Sequence, residues 1–181
     1  MSDYVALFRG INVGGKHILP MQDLCDILAS AGCENVQTYI QSGNAVFTAS
    51  ATAASLSKNI STAIDDGFGF APQVLLLTAD RFKAIAASNP FPEGESTPNF
   101  LHVWFLIEAP ADPDLDALKK LQSDSEQFVL QKDAFFLLAP DGIGRSKLAA
   151  KVDRYLGVAT TGRNWQTVSK LLDMIGETDL R

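Results

Sequence analysis

Arg9 and Lys16 bracket the run Arg9-Gly10-Ile11-Asn12-Val13-Gly14-Gly15-Lys16, which places two cations, one amide and three glycines in eight residues. A guanidinium and an ammonium donate charge-assisted hydrogen bonds to an anion, and an asparagine amide can bind in two-pronged fashion. Glycines let a backbone turn sharply and approach a ligand closely. The chemistry such a stretch points to is anion binding, strengthened if a helix begins just after it. The spacing G-x-x-x-G-G is neither the dinucleotide fingerprint nor the phosphate loop of nucleotide hydrolases, so no nucleotide motif is present. A plain strand-to-helix turn is the competing reading.

Two further groups carry similar chemistry. In "QSGN", Ser42 and Asn44 flank a glycine, and Gly-Asn is also an ordinary hairpin dipeptide. In "TTGRNW", Thr160, Thr161, Arg163, Asn164 and Trp165 supply hydroxyls, a fork-shaped donor, an amide and an aromatic platform, with core packing the competing role for Trp165. "DGIGRSK" adds Arg145 and Lys147 as possible partners for an anion, Ser146 reading as a helix cap. The segment from Arg145 to Lys170 carries net +5, whereas the whole chain carries -6, which leaves -11 for the rest. Lys147, Lys151 and Arg154 also fit a solvated helical face.

Elements must position these residues. "DYVALFR" (3–9) reads as a strand, and Leu24, Ile27, Leu28 and Ala31 recur at helical spacing before Gly32. "NVQTYIQ" and "NAVFTA" form a hairpin around "SG". Leu56, Ile60 and Ile64 mark a helix ending at Gly67, and "QVLLLT" is a strand. The order β-α-β-β-α-β is that of the ferredoxin-like split βαβ unit. After the helix "ADRFKAIAAS", the Pro- and Gly-rich stretch 90–98 reads as a connection between a first domain, 1–89, and a second, 99–181. The second opens with the strand "FLHVWFLI" and a helix, "DPDLDALKKLQ", capped by Asp112. A hairpin turning at Lys132 and Asp133 follows, then two helices joined by "VATTGR". It is a copy of the first that lacks the last strand. The expected class is α+β, two ferredoxin-like subdomains with antiparallel sheets.

In such a sheet the first two strands run the same way, so the loop after strand one and the hairpin after strand two emerge at one edge. "RGINVGGK" and "QSGN" should therefore converge, with Arg9, Asn12, Ser42 and Asn44 in one cluster. In the second half the Lys132 hairpin and "TTGRNW" are expected to share an edge likewise. If the two edges lie side by side, Arg163 and Asn164 face the glycine loop. The apolar residues on both faces of strand one predict that both faces are covered, by helices on one side and by the other half or a second chain on the other.

Composition limits the classes. With 46% hydrophobic and 20% charged residues among 181, the chain is globular. No signal peptide or membrane-length apolar run is visible, so a soluble cytoplasmic protein is expected, without a membrane partner. Two cysteines without CxxC spacing read as reduced thiols, and two histidines are too few for zinc, so neither metal nor cofactor is expected.

"ALFRGINVGGKHILPMQDL", "GCENVQTYIQSGNAVF" and "GVATTGRNWQTVSKLLDM" resemble the bacterial family known as domain of unknown function 1697. The resemblance implies two α+β subdomains akin to ferredoxin-like units and carries no reaction. Its recurrent positions match Arg9, Gly10, Asn12, Gly14, Gly15, Ser42, Gly43, Asn44, Arg163, Asn164 and Trp165. Three classes follow from the residues: a binding module for a phosphate-bearing ligand (nucleotide, nucleic acid or phosphorylated metabolite), an enzyme on a small phosphorylated substrate, or an interaction module, with a homodimer as one form. The binding module, with its ligand held between loops of the two subdomains, is the reading adopted, its ligand-binding residues being Arg9, Asn12, Gly14, Gly15, Lys16, Ser42, Asn44, Arg163, Asn164 and Trp165. No nucleophile or base stands out, which leaves enzyme status open.

Overall fold

Alternation of Tyr4, Ala6 and Phe8 with Val5 and Leu7 makes Ser2–Arg9 a strand, β1, whose residues from Tyr4 to Phe8 are buried on both faces. In the computed structural model, which describes residues 1–179, it is followed by α1 (Met21–Ser30), β2 (Glu34–Tyr39), β3 (Asn44–Ala49), α2 (Ala53–Phe68), β4 (Gln73–Thr78) and α3 (Ala79–Ala87). The sheet order is β2-β3-β1-β4 with every pairing antiparallel. That is the ferredoxin-like arrangement, in which β1 and β2 run the same way with β3 between them.

Tyr4, Ala6 and Phe8 pack with Leu24 and Leu28 of α1 and with Leu56, Ile60 and Ile64 of α2. Each large apolar side chain buried there contributes about 1.5–3 kcal/mol relative to exposure. Thr52 caps α2 by accepting from the Ser55 amide at 3.3 Å, and the helix closes on Gly69, at φ +74, rather than on Gly67. Cys33 is buried and Cys25 half-buried, both as free thiols, and burial pushes the Cys33 thiol up to about 11.

The second sheet is built from β5 (Leu101–Leu106), β6 (Gln127–Leu130), β7 (Ala134–Leu138) and β8 (Thr160–Asn164) in the order β6-β7-β5-β8, again antiparallel throughout. Its helices are α4 (Leu115–Leu121) and α5 (Val152–Leu156), and α6 (Trp165–Asp179) follows β8. Phe135 and Leu137 of β7 pack with Leu118 of α4 and with Val152 and Leu156 of α5. Two expectations are corrected here. The fourth strand is present, because "TTGRN" pairs with β5 from Leu106↔Thr160 to His102↔Asn164; its polar composition hid it. The cap of α4 is Asp114, which accepts from the Ala117 amide at 2.9 Å, and not Asp112.

By its contacts the chain divides into Met1–Ala84 with the residues from Ser169 onward, and Ile85–Val168. This differs from the division 1–89, 90–98 and 99–181. The stretch 90–98 contains a 3₁₀ turn at Pro92–Ser96, and the Asn89 side-chain nitrogen donates to Glu95 Oε1 at 2.9 Å. Residues 180–181, the end of the second domain as read from the sequence, lie outside the described residues. Among the described residues no helix is long and apolar enough to cross a membrane.

Candidate functional site

The chain leaves β1 into a loop that holds positive φ at Gly10, Asn12, Gly14, Gly15 and His17. Such a run needs glycine or an asparagine-like residue at most of its positions. The Asn12 backbone amide donates to the His17 carbonyl at 3.0 Å, and the Lys16 amide donates to the Val13 carbonyl at 3.2 Å. The Asn12 side chain ties the base of the loop. Its Nδ2 donates to the Leu19 carbonyl and to the Gln41 carbonyl, each at 2.8 Å, and its Oδ1 accepts from the Leu19 amide at 2.8 Å. Both Nδ2 hydrogens are thereby used, so Asn12 acts as a scaffold.

Gln41 belongs to the turn between β2 and β3, and the expected convergence of the two loops is therefore direct. The Phe8 amide donates to the Gly43 carbonyl at 2.9 Å. Gly43 has φ +79, and a Cβ there would stand 2.6 Å from both Ile11 Cδ1 and Phe8 Cβ. Asn44 is fully buried, and its Nδ2 donates to the Tyr39 carbonyl at 3.0 Å and to Ser42 Oγ at 3.2 Å. Ile40, in the same turn, is half exposed and holds φ +49, a left-handed conformation that costs a β-branched residue about 1–2 kcal/mol. Arg9 ends β1 on this edge, two positions past the Leu7↔Asn44 pair, and is exposed.

The part of the loop that faces water runs from Val13, at 62% exposure, through Gly14, Gly15, Lys16 and His17 to Ile18, at 57%. A Cβ added at Gly14 or Gly15 would meet nothing within 4 Å, so the backbone there is open to approach. From Arg9 to Pro20 the chain holds no acid. His17 escaped the sequence reading because it sits in no motif; adjacency to the glycine run was the signal for it. Its ring stacks on Phe70 at 4.7 Å, and its Nδ1 lies 3.1 Å from the Gly10 carbonyl, which can only accept. Nδ1 therefore carries the proton, which in the neutral ring makes Nε2 an acceptor. Among the described residues no group of three His, Cys, Asp or Glu side chains could hold a metal ion.

In the second sheet, β8 runs against β5. Arg163 pairs with Val103 and Asn164 with His102, near the start of β5, while the hairpin of Lys132 and Asp133 lies at its end, where the Leu106 amide donates to the Asp133 carbonyl at 3.0 Å. The expected shared edge is overturned, because a fourth strand carries the chain back to the opposite edge before "RNW" is reached. Asn164 caps α6, its Oδ1 accepting from the Thr167 amide at 3.0 Å and from Thr167 Oγ1 at 2.8 Å. Arg163 is half-buried and donates from one guanidinium nitrogen to the Gly162 carbonyl at 2.8 Å. Burial pulls its pKa down to about 10, which leaves it charged at neutral pH. Trp165 is 6% exposed, a packing position.

A family model described as "Protein of unknown function (DUF1697)" matches residues 1–136. Among solved structures, the conserved bacterial protein SP0830 from Streptococcus pneumoniae superimposes with a TM-score of 0.71 at 26% identity, covering 96% of this chain and 98% of that one. No curated protein matches the chain.

Proposed function

The chain belongs to the DUF1697 family, whose description names no reaction, and from the geometry of its first unit we propose that it binds a phosphate-bearing ligand at the glycine loop. The observation that carries this reading is the open, acid-free tip Gly14-Gly15-Lys16, pinned to the neighbouring turn by Asn12 and flanked by Arg9. Successive amides in a turn of positive φ make an anion-binding concavity, and a cation at each end adds charge-assisted bonds. The strain accepted at Ile40 supports a functional role for this edge, since backbone outliers cluster at such sites. Asn12, Ser42 and Asn44 serve the site as its frame, and Arg9, Lys16 and the two glycine amides as its donors. A small phosphate ester suits it better than a polynucleotide, because a net charge of -6 works against a polyanion.

Calorimetric titration with inorganic pyrophosphate tests the reading. The Arg9→Ala/Lys16→Ala double variant is expected to bind about tenfold or more weakly, since each lost charged bond is worth about 1.5–3 kcal/mol, while Lys119→Ala on the exposed side of α4 binds as the wild type does. Affinity is expected to fall as salt rises. Equal affinity for the double variant, or indifference to salt, would overturn it.

A further inference from the structure

In the second unit, the end of α4 and the loop that follows β7 enclose a cavity of about 460 Å³, inside the range of roughly 300–1,000 Å³ usual for small-molecule sites. Three cations line it: Lys120 from the last turn of α4, and Arg145 and Lys147 from the loop. Two carboxylates line it as well, and both are already engaged. Glu126 is 6% exposed and accepts from the Ser123 amide at 3.0 Å, and Asp141 Oδ2 accepts from Ser125 Oγ at 2.6 Å. Among the described residues, neither acid forms an ion pair with the three cations, which stand around the cavity without a carboxylate partner.

We propose that this cavity is a binding site for a phosphate monoester of a sugar or small polyol. Three unpaired cations lining one cavity fit a doubly charged phosphate, which takes charge-assisted bonds from a fork-shaped guanidinium and two ammonium groups. The same lining also offers acceptors: each carboxylate has a second oxygen beyond the one the chain already uses, and oxygen acceptors bind hydroxyl donors. A bare anion would leave those acceptors without donors and would be repelled by both carboxylates. A phosphate ester with hydroxyls on its carbon skeleton satisfies the cations and the acceptors together. The site shares no residue with the glycine loop and stands or falls separately.

The probe is glucose 6-phosphate, added to the full chain and followed by backbone amide shifts, with glucose and inorganic phosphate as controls. The expected result is that shifts concentrate at Ser123–Glu126 and Gly142–Lys147, and that Arg145→Ala/Lys147→Ala lowers the affinity about tenfold or more. Arg145 and Lys147 are exposed, so this variant should keep the wild-type spectrum elsewhere. Glucose should bind far more weakly than its phosphate. Inorganic phosphate binding as tightly as the ester would overturn the role given to the carboxylates, and shifts absent from these segments or unchanged affinity in the double variant would overturn the site.

Discussion

Gly43 has two separate reasons to be glycine, and a comparison with Gly14 isolates them. At Gly43 the backbone is left-handed and a Cβ would collide with Phe8 and Ile11, whereas at Gly14 the backbone is left-handed with open space around it. Gly43→Ala should therefore destabilise the chain by about 2–5 kcal/mol, the sum of backbone strain and overpacking. Gly14→Ala should cost about 1–2 kcal/mol, strain alone. Urea unfolding of both variants checks this, and equal losses would show that the Phe8 and Ile11 contacts yield freely. Asn12 shows the limit of reading single residues: its type was legible as a two-pronged donor, but three bonds within the loop consume it, and only the folded backbone reveals where a donor is spent.

Helix caps and strand edges decide the next scale. Asp114→Ala should cost about 1 kcal/mol in urea unfolding and Asp112→Ala close to nothing, because only Asp114 receives the Ala117 amide. A reversed ranking would put the start of α4 elsewhere. Along this chain β8 was the one strand that the sequence did not disclose. Its Thr160 and Thr161 are buried, yet Gly162, Arg163 and Asn164 break the apolar alternation by which a strand is recognised. Its partner β5 was plain in "FLHVWFLI", and it carries a buried histidine. Burial lowers the His102 pKa from its usual 6.5, so the unfolded chain takes up this proton first as pH falls. The stability that depends on neutral His102 is complete above about pH 6.5 and is lost as pH falls from there toward the lower folded pKa. Thermal unfolding between about pH 7 and pH 5 should show a steeper decline for the wild type than for His102→Gln, and parallel curves would contradict this.

At the scale of the whole chain, the repeated order of strands and helices was legible because each sheet's apolar strands and each helix's periodic face repeat in sequence, and both sheets came out as antiparallel ferredoxin-like units. The convergence of two loops at one edge of the first sheet followed from that order alone, and the Asn12 to Gln41 bond expresses it. The position of "RNW" did not follow, since it depended on counting a strand that the pattern concealed. The central claim is that the glycine loop receives a phosphate group on its exposed amides. Its most direct test is to add inorganic pyrophosphate to isotope-labelled chain and observe which backbone amides move. The account predicts that the Gly14 and Gly15 amides shift most, in a saturable manner, and that Arg9→Ala/Lys16→Ala suppresses those shifts; glycine amides that stay in place at concentrations where others move would contradict it.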